Sequence, residues 1–131
     1  MHTVLVVDDE FGVAEVLEAI LQDEGYRVVT AINGRQGLDR ARETPPDLIL
    51  LDLMMPIMGG AAMLEALRAD AALAHVPVVV MSSLDEAAVR DSCSGYRAFL
   101  RKPFRMAEVL RLLPLLMPPD TLAVGHEPPP G

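Results

Sequence analysis

Short, unbroken apolar runs, each followed by a segment with helical spacing, constrain this chain more than any other feature. Val4–Val7, Tyr26–Ala31, Leu48–Leu51 and Val76–Met81 read as buried strands, and Ala98–Leu100 as a weaker fifth. A continuous apolar run without period-2 alternation marks a strand covered on both faces, as in a parallel sheet. After the first run, Val13, Val16, Leu17, Ile20 and Leu21 recur at helical spacing, and Gly25 is placed to end that helix. Further helices are predicted over Arg35–Glu43, Ala61–Ala72, Asp85–Cys93 (with Asp85 as N-cap) and Met106–Leu113, the last broken by Pro114. Five βα repeats predict one α/β domain, a doubly wound five-stranded parallel sheet with right-handed crossovers.

With 131 residues, 51% of them hydrophobic, the chain can bury an aliphatic core without disulfide or metal staples. Cys93 has no partner for an internal disulfide and reads as a reduced thiol on a helix. No run approaches the roughly 18 apolar residues of a membrane span, and no basic segment leads into a long apolar one at the start. A cytoplasmic protein without a membrane partner is therefore expected. The net charge of −8 argues against an anionic partner, so no direct DNA binding is expected. Residues 118–131, rich in proline, are expected to form a disordered tail beyond a domain spanning residues 1–117. Leu112–Met117 is more apolar than an exposed segment should be, which predicts that it packs back on the domain or meets a partner.

In a doubly wound sheet, ligands bind beyond the carboxyl ends of the strands, near the point where strand order reverses. Asp8 and Asp9 follow the first strand, Asp52 the third, Ser82 and Ser83 the fourth, and Lys102 the fifth. Taken singly, each has a plain explanation: Asp8, Asp9 and the serines as helix caps, Asp52 as a turn residue, Lys102 as a solvated charge. Their arrival at one edge from four strands is harder to obtain from independent capping. Three clustered carboxylates cannot all stay ionised without a cation, and hard oxygen ligands suit Mg²⁺. A carboxylate can act as nucleophile and carry a phosphoryl group, while a lysine and a hydroxyl suit that group's other oxygens. Lys102 is the only lysine beside ten arginines, and a compact ammonium is not interchangeable with a planar guanidinium. The pattern predicts Mg²⁺-dependent phosphorylation of a carboxylate. The scattered histidines His2, His75 and His126 offer no transition-metal site.

Taken together, Asp8-Asp9, Asp52-Leu53-Met54-Met55-Pro56 with Gly60, Ser82 and Lys102-Pro103-Phe104 closely resemble the receiver domain of bacterial two-component response regulators. The resemblance runs from Thr3 to about Leu113 and implies the flavodoxin-like (βα)5 topology. It implies Asp52 as phosphoacceptor, supplied by a sensor histidine kinase or a phosphotransfer protein. It implies Mg²⁺ held by Asp8, Asp9, Asp52 and the Met54 backbone carbonyl, with Ser82 and Lys102 on the phosphoryl oxygens. Lys102-Pro103 resembles the family's cis peptide. Ser82 and Phe99 match its switch pair, the hydroxyl moving to the phosphoryl group and the ring turning into the vacated space. Gly59 stands where the family often has Asp, and Arg97-Ala98 where DNA-binding relatives carry an acidic pair. The expectation is a stand-alone receiver, not an enzyme beyond its own phosphorylation and dephosphorylation, which switches contacts with a downstream protein target. Two alternatives are a phosphorylation-independent interaction module and a flavodoxin-like cofactor binder. Asp8-Asp9-Glu10 would repel a phosphate and no Gly-rich loop opens the first helix, which weighs against the second.

Overall fold

A computed structural model describes residues 2–117, and the expected tail over 118–131 lies outside the described residues. Five strands and five helices alternate: β1 (Thr3–Val7), α1 (Phe11–Asp23), β2 (Arg27–Ala31), α2 (Gly34–Glu43), β3 (Leu48–Asp52), α3 (Gly60–Ala69), β4 (Val78–Ser82), α4 (Glu86–Ser92), β5 (Ala98–Arg101) and α5 (Met106–Leu116). All strand pairings are parallel, in the order β2-β1-β3-β4-β5, so the order reverses between β1 and β3. β1, β3 and β4 are buried along their whole length. Alternate residues feed two cores, as the period of a strand requires. Leu5, Val7, Ile49 and Leu51 join Met63, Leu64 and Leu67 of α3, while Val4, Val6, Leu48 and Leu50 join Leu17 and Leu21 of α1 and Val109 and Leu113 of α5. The doubly wound fold read from the apolar runs is the fold observed.

The predicted ends agree with the structure where a capping side chain or a glycine marks them. Asp85 caps α4 by accepting from the Ala88 amide at 2.9 Å, and Gly25 follows α1 at φ +94°. The Lys102–Pro103 peptide is cis. Elsewhere the ends moved. β4 starts at Val78 because Pro77, inside the predicted run, has no amide to place in the ladder. α3 stops at Ala69, where the Asp70 carboxylate accepts from the Ala72 amide and competes with the helical pattern.

The expected break at Pro114 does not occur. α5 runs on to Leu116, and the Met117 amide still donates to the Leu113 carbonyl at 3.0 Å. A proline inside a helix costs about 3 kcal/mol. Leu116 and Met117 pack half-buried on the core beneath α5, and burying long apolar side chains to that extent returns a comparable amount, about 1 kcal/mol or more apiece. Most of the apolar segment over Leu112–Met117 is thus used inside the domain, although Leu115 remains 76% exposed.

The loop from β3 to α3 carries one unfavourable residue. Ile57 adopts φ +67°, a region β-branched side chains avoid, yet its side chain is 84% exposed and gains little by burial. Asparagine tolerates that region much better. Ile57→Asn is therefore expected to stabilise the domain by about 1 kcal/mol. A higher midpoint in urea at unchanged slope checks it; an unchanged or lower midpoint would count against strain at this position.

Candidate functional site

Pairing in register brings the carboxyl ends of β1, β3, β4 and β5 to one edge. Val7 lies beside Leu51, Asp52 beside Met81, and Ser82 beside Arg101. The residues that follow are therefore neighbours in space although up to 94 positions apart in sequence. Asp8 is held by backbone contacts on both sides: its amide donates to the Ala31 carbonyl at 3.0 Å, and its Oδ1 accepts from the Glu10 amide at 2.8 Å. Lys102 is fixed in part by its own amide, which donates to the Ser82 carbonyl at 2.8 Å. The Ser82 hydroxyl accepts from the Leu84 amide at 3.1 Å, so it closes the turn into α4.

One oxygen each from Asp8, Asp9 and Asp52 lies within 4.8 Å of the others. Asp8 and Asp52 are buried and Asp9 is exposed, so the group opens outward on one side only. Lys102 adjoins the group, with Nζ 3.0 Å from Asp8 Oδ2 and 3.5 Å from Asp52 Oδ1. Burial pushes the Asp52 carboxyl up, and the charge of Asp8 adds to this. Lys102 offsets part of the effect, contact with Asp9 adds to it again, and the result is about 7. Burial alone would pull Lys102 down. Its bonds to Glu10 and Asp8 and the charges of Asp8 and Asp52 outweigh burial and raise it instead. A carboxylate that ionises with such difficulty beside two others is short of positive charge. That shortage, with oxygen donors only, is what a small hard dication relieves, so the residues fit Mg²⁺.

A cavity of about 810 Å³ opens over this group, lined by Asp9, Asp52, Met54, Ser82, Lys102 and Pro103 among others. All the residues expected at the site converge there except two. Asp8 is fully buried and outside the lining, though grouped with Asp9 and Asp52, and Phe99 is half-buried on β5, beside Val80 and against the core with α2, α3 and α4. One functional contact went unread in the sequence: Glu10 Oε1 accepts from Lys102 Nζ at 2.9 Å. Glu10 is the third acid of the run after β1, and its excess over the aspartate pair was the available signal.

Comparison with known proteins agrees with this fold. The family model of the response regulator receiver domain matches residues 4–113. The transcriptional regulatory protein PrrA of Mycobacterium leprae is 38% identical over 93% of this chain and 56% of its own length. The DNA-binding response regulator MtrA of Mycobacterium tuberculosis is 38% identical over 82% of this chain and 46% of its own length. The chain thus spans about half the length of the curated relatives it matches. Among solved structures, the chemotaxis response regulator CheY4 of Vibrio cholerae superposes with a TM-score of 0.84 at 29% identity, over 89% of this chain and 99% of that one. The response regulator TrrA of Thermotoga maritima, in complex with Mg²⁺ and BeF, gives 0.80 at 27% identity, over 89% of this chain and all of the other.

One expectation is overturned here. The absence of a direct DNA partner was inferred from acidic charge, yet the relatives include DNA-binding response regulators. The physical reason is one of scope. A net charge of −8 describes the surface of these residues and does not bear on the half of each relative that lies outside the match. Among the described residues no helix is long and apolar enough to cross a membrane.

Proposed function

The chain belongs to the response regulator receiver domain family, and on that premise we propose that Asp52 accepts a phosphoryl group in a Mg²⁺-dependent signalling step. The observation that carries the proposal is the buried carboxyl of Asp52 between two further aspartates and a single ammonium. One Asp52 oxygen would attack phosphorus. The bond from phosphorus to the donor's leaving atom would break, its electron pair departing with the donor. Asp8, Asp9, Asp52 and the Met54 carbonyl are the proposed Mg²⁺ ligands, and the ion would supply the positive charge that lets the carboxylates ionise together. Lys102 and the Ser82 hydroxyl would hold phosphoryl oxygens.

The Ser82 hydroxyl accepts from the Leu84 amide and keeps its own hydrogen to donate to a phosphoryl oxygen. That new donation is the proposed start of the switch, with Phe99 responding from the next strand. Upstream, the donor would be a sensor histidine kinase or a phosphotransfer protein. Downstream, a DNA-binding output partner is proposed from the relatives. Incubation with acetyl phosphate and Mg²⁺ tests the central step. Uptake on Asp52 supports it, and a protein that binds neither Mg²⁺ nor phosphoryl would act as a phosphorylation-independent interaction module.

The lifetime of the phosphoryl group follows from two neighbours. Met54 is 67% exposed and Leu84 39% exposed, at the edge where water must approach, and neither can hydrogen-bond an attacking water. A slow decay is therefore expected. Met54→Asn should hasten it about fivefold, the worth of roughly one hydrogen bond to water in the transition state. The decay of isolated phosphoprotein measures it, and equal half-lives would exclude Met54 as the barrier.

A further inference from the structure

The ammonium of Lys102 has three hydrogens and three carboxylate neighbours. Glu10 at 2.9 Å and Asp8 at 3.0 Å each take one hydrogen in a hydrogen bond, and Asp52 stands at 3.5 Å as an ion pair, so only one hydrogen is uncommitted. For Lys102 to offer a phosphoryl group more than that one hydrogen, a hydrogen-bonded acceptor must leave. Asp8 is fully buried and also tied to the Glu10 amide. Asp52 would carry the phosphoryl group itself. Glu10 alone is free to go, because its side chain is 61% exposed while that of Lys102 is only 16% exposed. Nor does the fold need the Glu10 carboxylate. Glu10 is the N-cap residue of α1, but its side chain makes no capping bond, and only its carbonyl receives the amides of Val13 and Ala14.

From this we infer that Glu10 is a displaceable stand-in for the phosphoryl group: it occupies Lys102 in the resting protein and is expelled when Asp52 is phosphorylated. Glu10 is then a positioning residue that opposes the reaction, since it competes with the phosphoryl group for the Lys102 ammonium. The inference rests on Asp52 as the phosphoacceptor.

Two measurements test it. With acetyl phosphate and Mg²⁺, Glu10→Gln should be phosphorylated about two- to fivefold faster than wild type, the range expected for one partly exposed ion pair. Glu15→Gln removes an exposed charge elsewhere on α1 and should leave the rate unchanged. The second measurement exploits the single lysine. In protein labelled with ¹³C,¹⁵N-lysine, the Lys102 side-chain signals of wild type and Glu10→Gln should differ at rest. They should converge once beryllofluoride and Mg²⁺ are added, because residue 10 no longer touches Lys102. An unchanged or slower rate in Glu10→Gln, or signals that stay apart in the loaded proteins, would overturn the inference. Failure of wild type itself to take phosphoryl on Asp52 would instead remove the reading on which it rests.

Discussion

Asp52→Asn takes up no phosphoryl group from acetyl phosphate and Mg²⁺, and at neutral pH it is more stable than the wild type. The first result follows from chemistry: an amide oxygen is not a competent nucleophile, and among the described residues no other buried carboxylate lines the cavity. A variant labelled as strongly as wild type would place the phosphoryl group elsewhere. The second result follows from the raised pKa of Asp52. Asp52 moves from an ordinary 3.8 to about 7 in the folded protein, chiefly through burial and the charge of Asp8. Well below pH 3.8 the side chain is protonated in both folded and unfolded chains and costs nothing. As pH rises from 4 towards 7 the unfolded chain loses its proton first, so folding becomes less favourable, and above 7 the penalty is complete. Asparagine never ionises and escapes it. The stability advantage of Asp52→Asn should therefore be small near pH 4, grow to pH 7 and level off above. Urea unfolding at pH 4.5 and pH 8 measures the difference. Mg²⁺ should narrow the gap at pH 8, because a cation among the three carboxylates relieves the wild type more than the variant. An advantage independent of pH would show that the charge of Asp52 is already well compensated in the resting fold.

The parts of this site that were legible in the sequence are those set by local pattern and topology together. β1, β3 and β4 are covered on both faces, which forces the unbroken apolar runs, and the residue after each run must then emerge at the same edge. Asp8, Asp52, Ser82 and Lys102 could be placed together on that ground without any knowledge of side-chain geometry. What escaped depends on contacts between loops, whose partners no periodicity announces. Glu10 and Lys102 are 92 positions apart, and the acid differs from other surface acids only in which loop it faces. Arg68 is a similar case. Its guanidinium donates to the carbonyls of Ala74, Val76 and Gly95, tying together the segments that lead into β4 and β5. A half-buried arginine satisfied by carbonyls alone leaves no charge pattern to read. Pro114 was misread for a different reason: a strong local rule was outweighed by packing of residues beyond it.

Gly60→Ala should damage fold and site together, and by more than any other single methyl group added at this edge. A β-carbon at Gly60 would collide with the carbonyl oxygen of Asp52 and lie 2.8 Å from the α-carbon of Leu53. Both obstacles are backbone, so neither can turn aside as a flexible side chain would. Gly60 also donates its amide to the Leu53 carbonyl at 2.9 Å, which holds the first turn of α3 against the end of β3. The clash must move α3 outward or shift Asp52, and forced overpacking of this kind costs about 3 kcal/mol. The adjacent Gly59→Ala provides the contrast. There the nearest obstacle is the Leu53 carbonyl oxygen at 3.4 Å, an ordinary contact, and only the mild preference of the N-cap position is lost, less than about 1 kcal/mol. Urea midpoints for the two variants should therefore separate clearly, at similar slopes. The labelling rate of Asp52 in the folded fraction should fall in Gly60→Ala and persist in Gly59→Ala. If Gly60→Ala lost stability but labelled normally, α3 would have yielded while β3 held its place. The position of the carboxylate would then depend on the strand ladder alone, and the close approach of α3 would serve only the core beneath it.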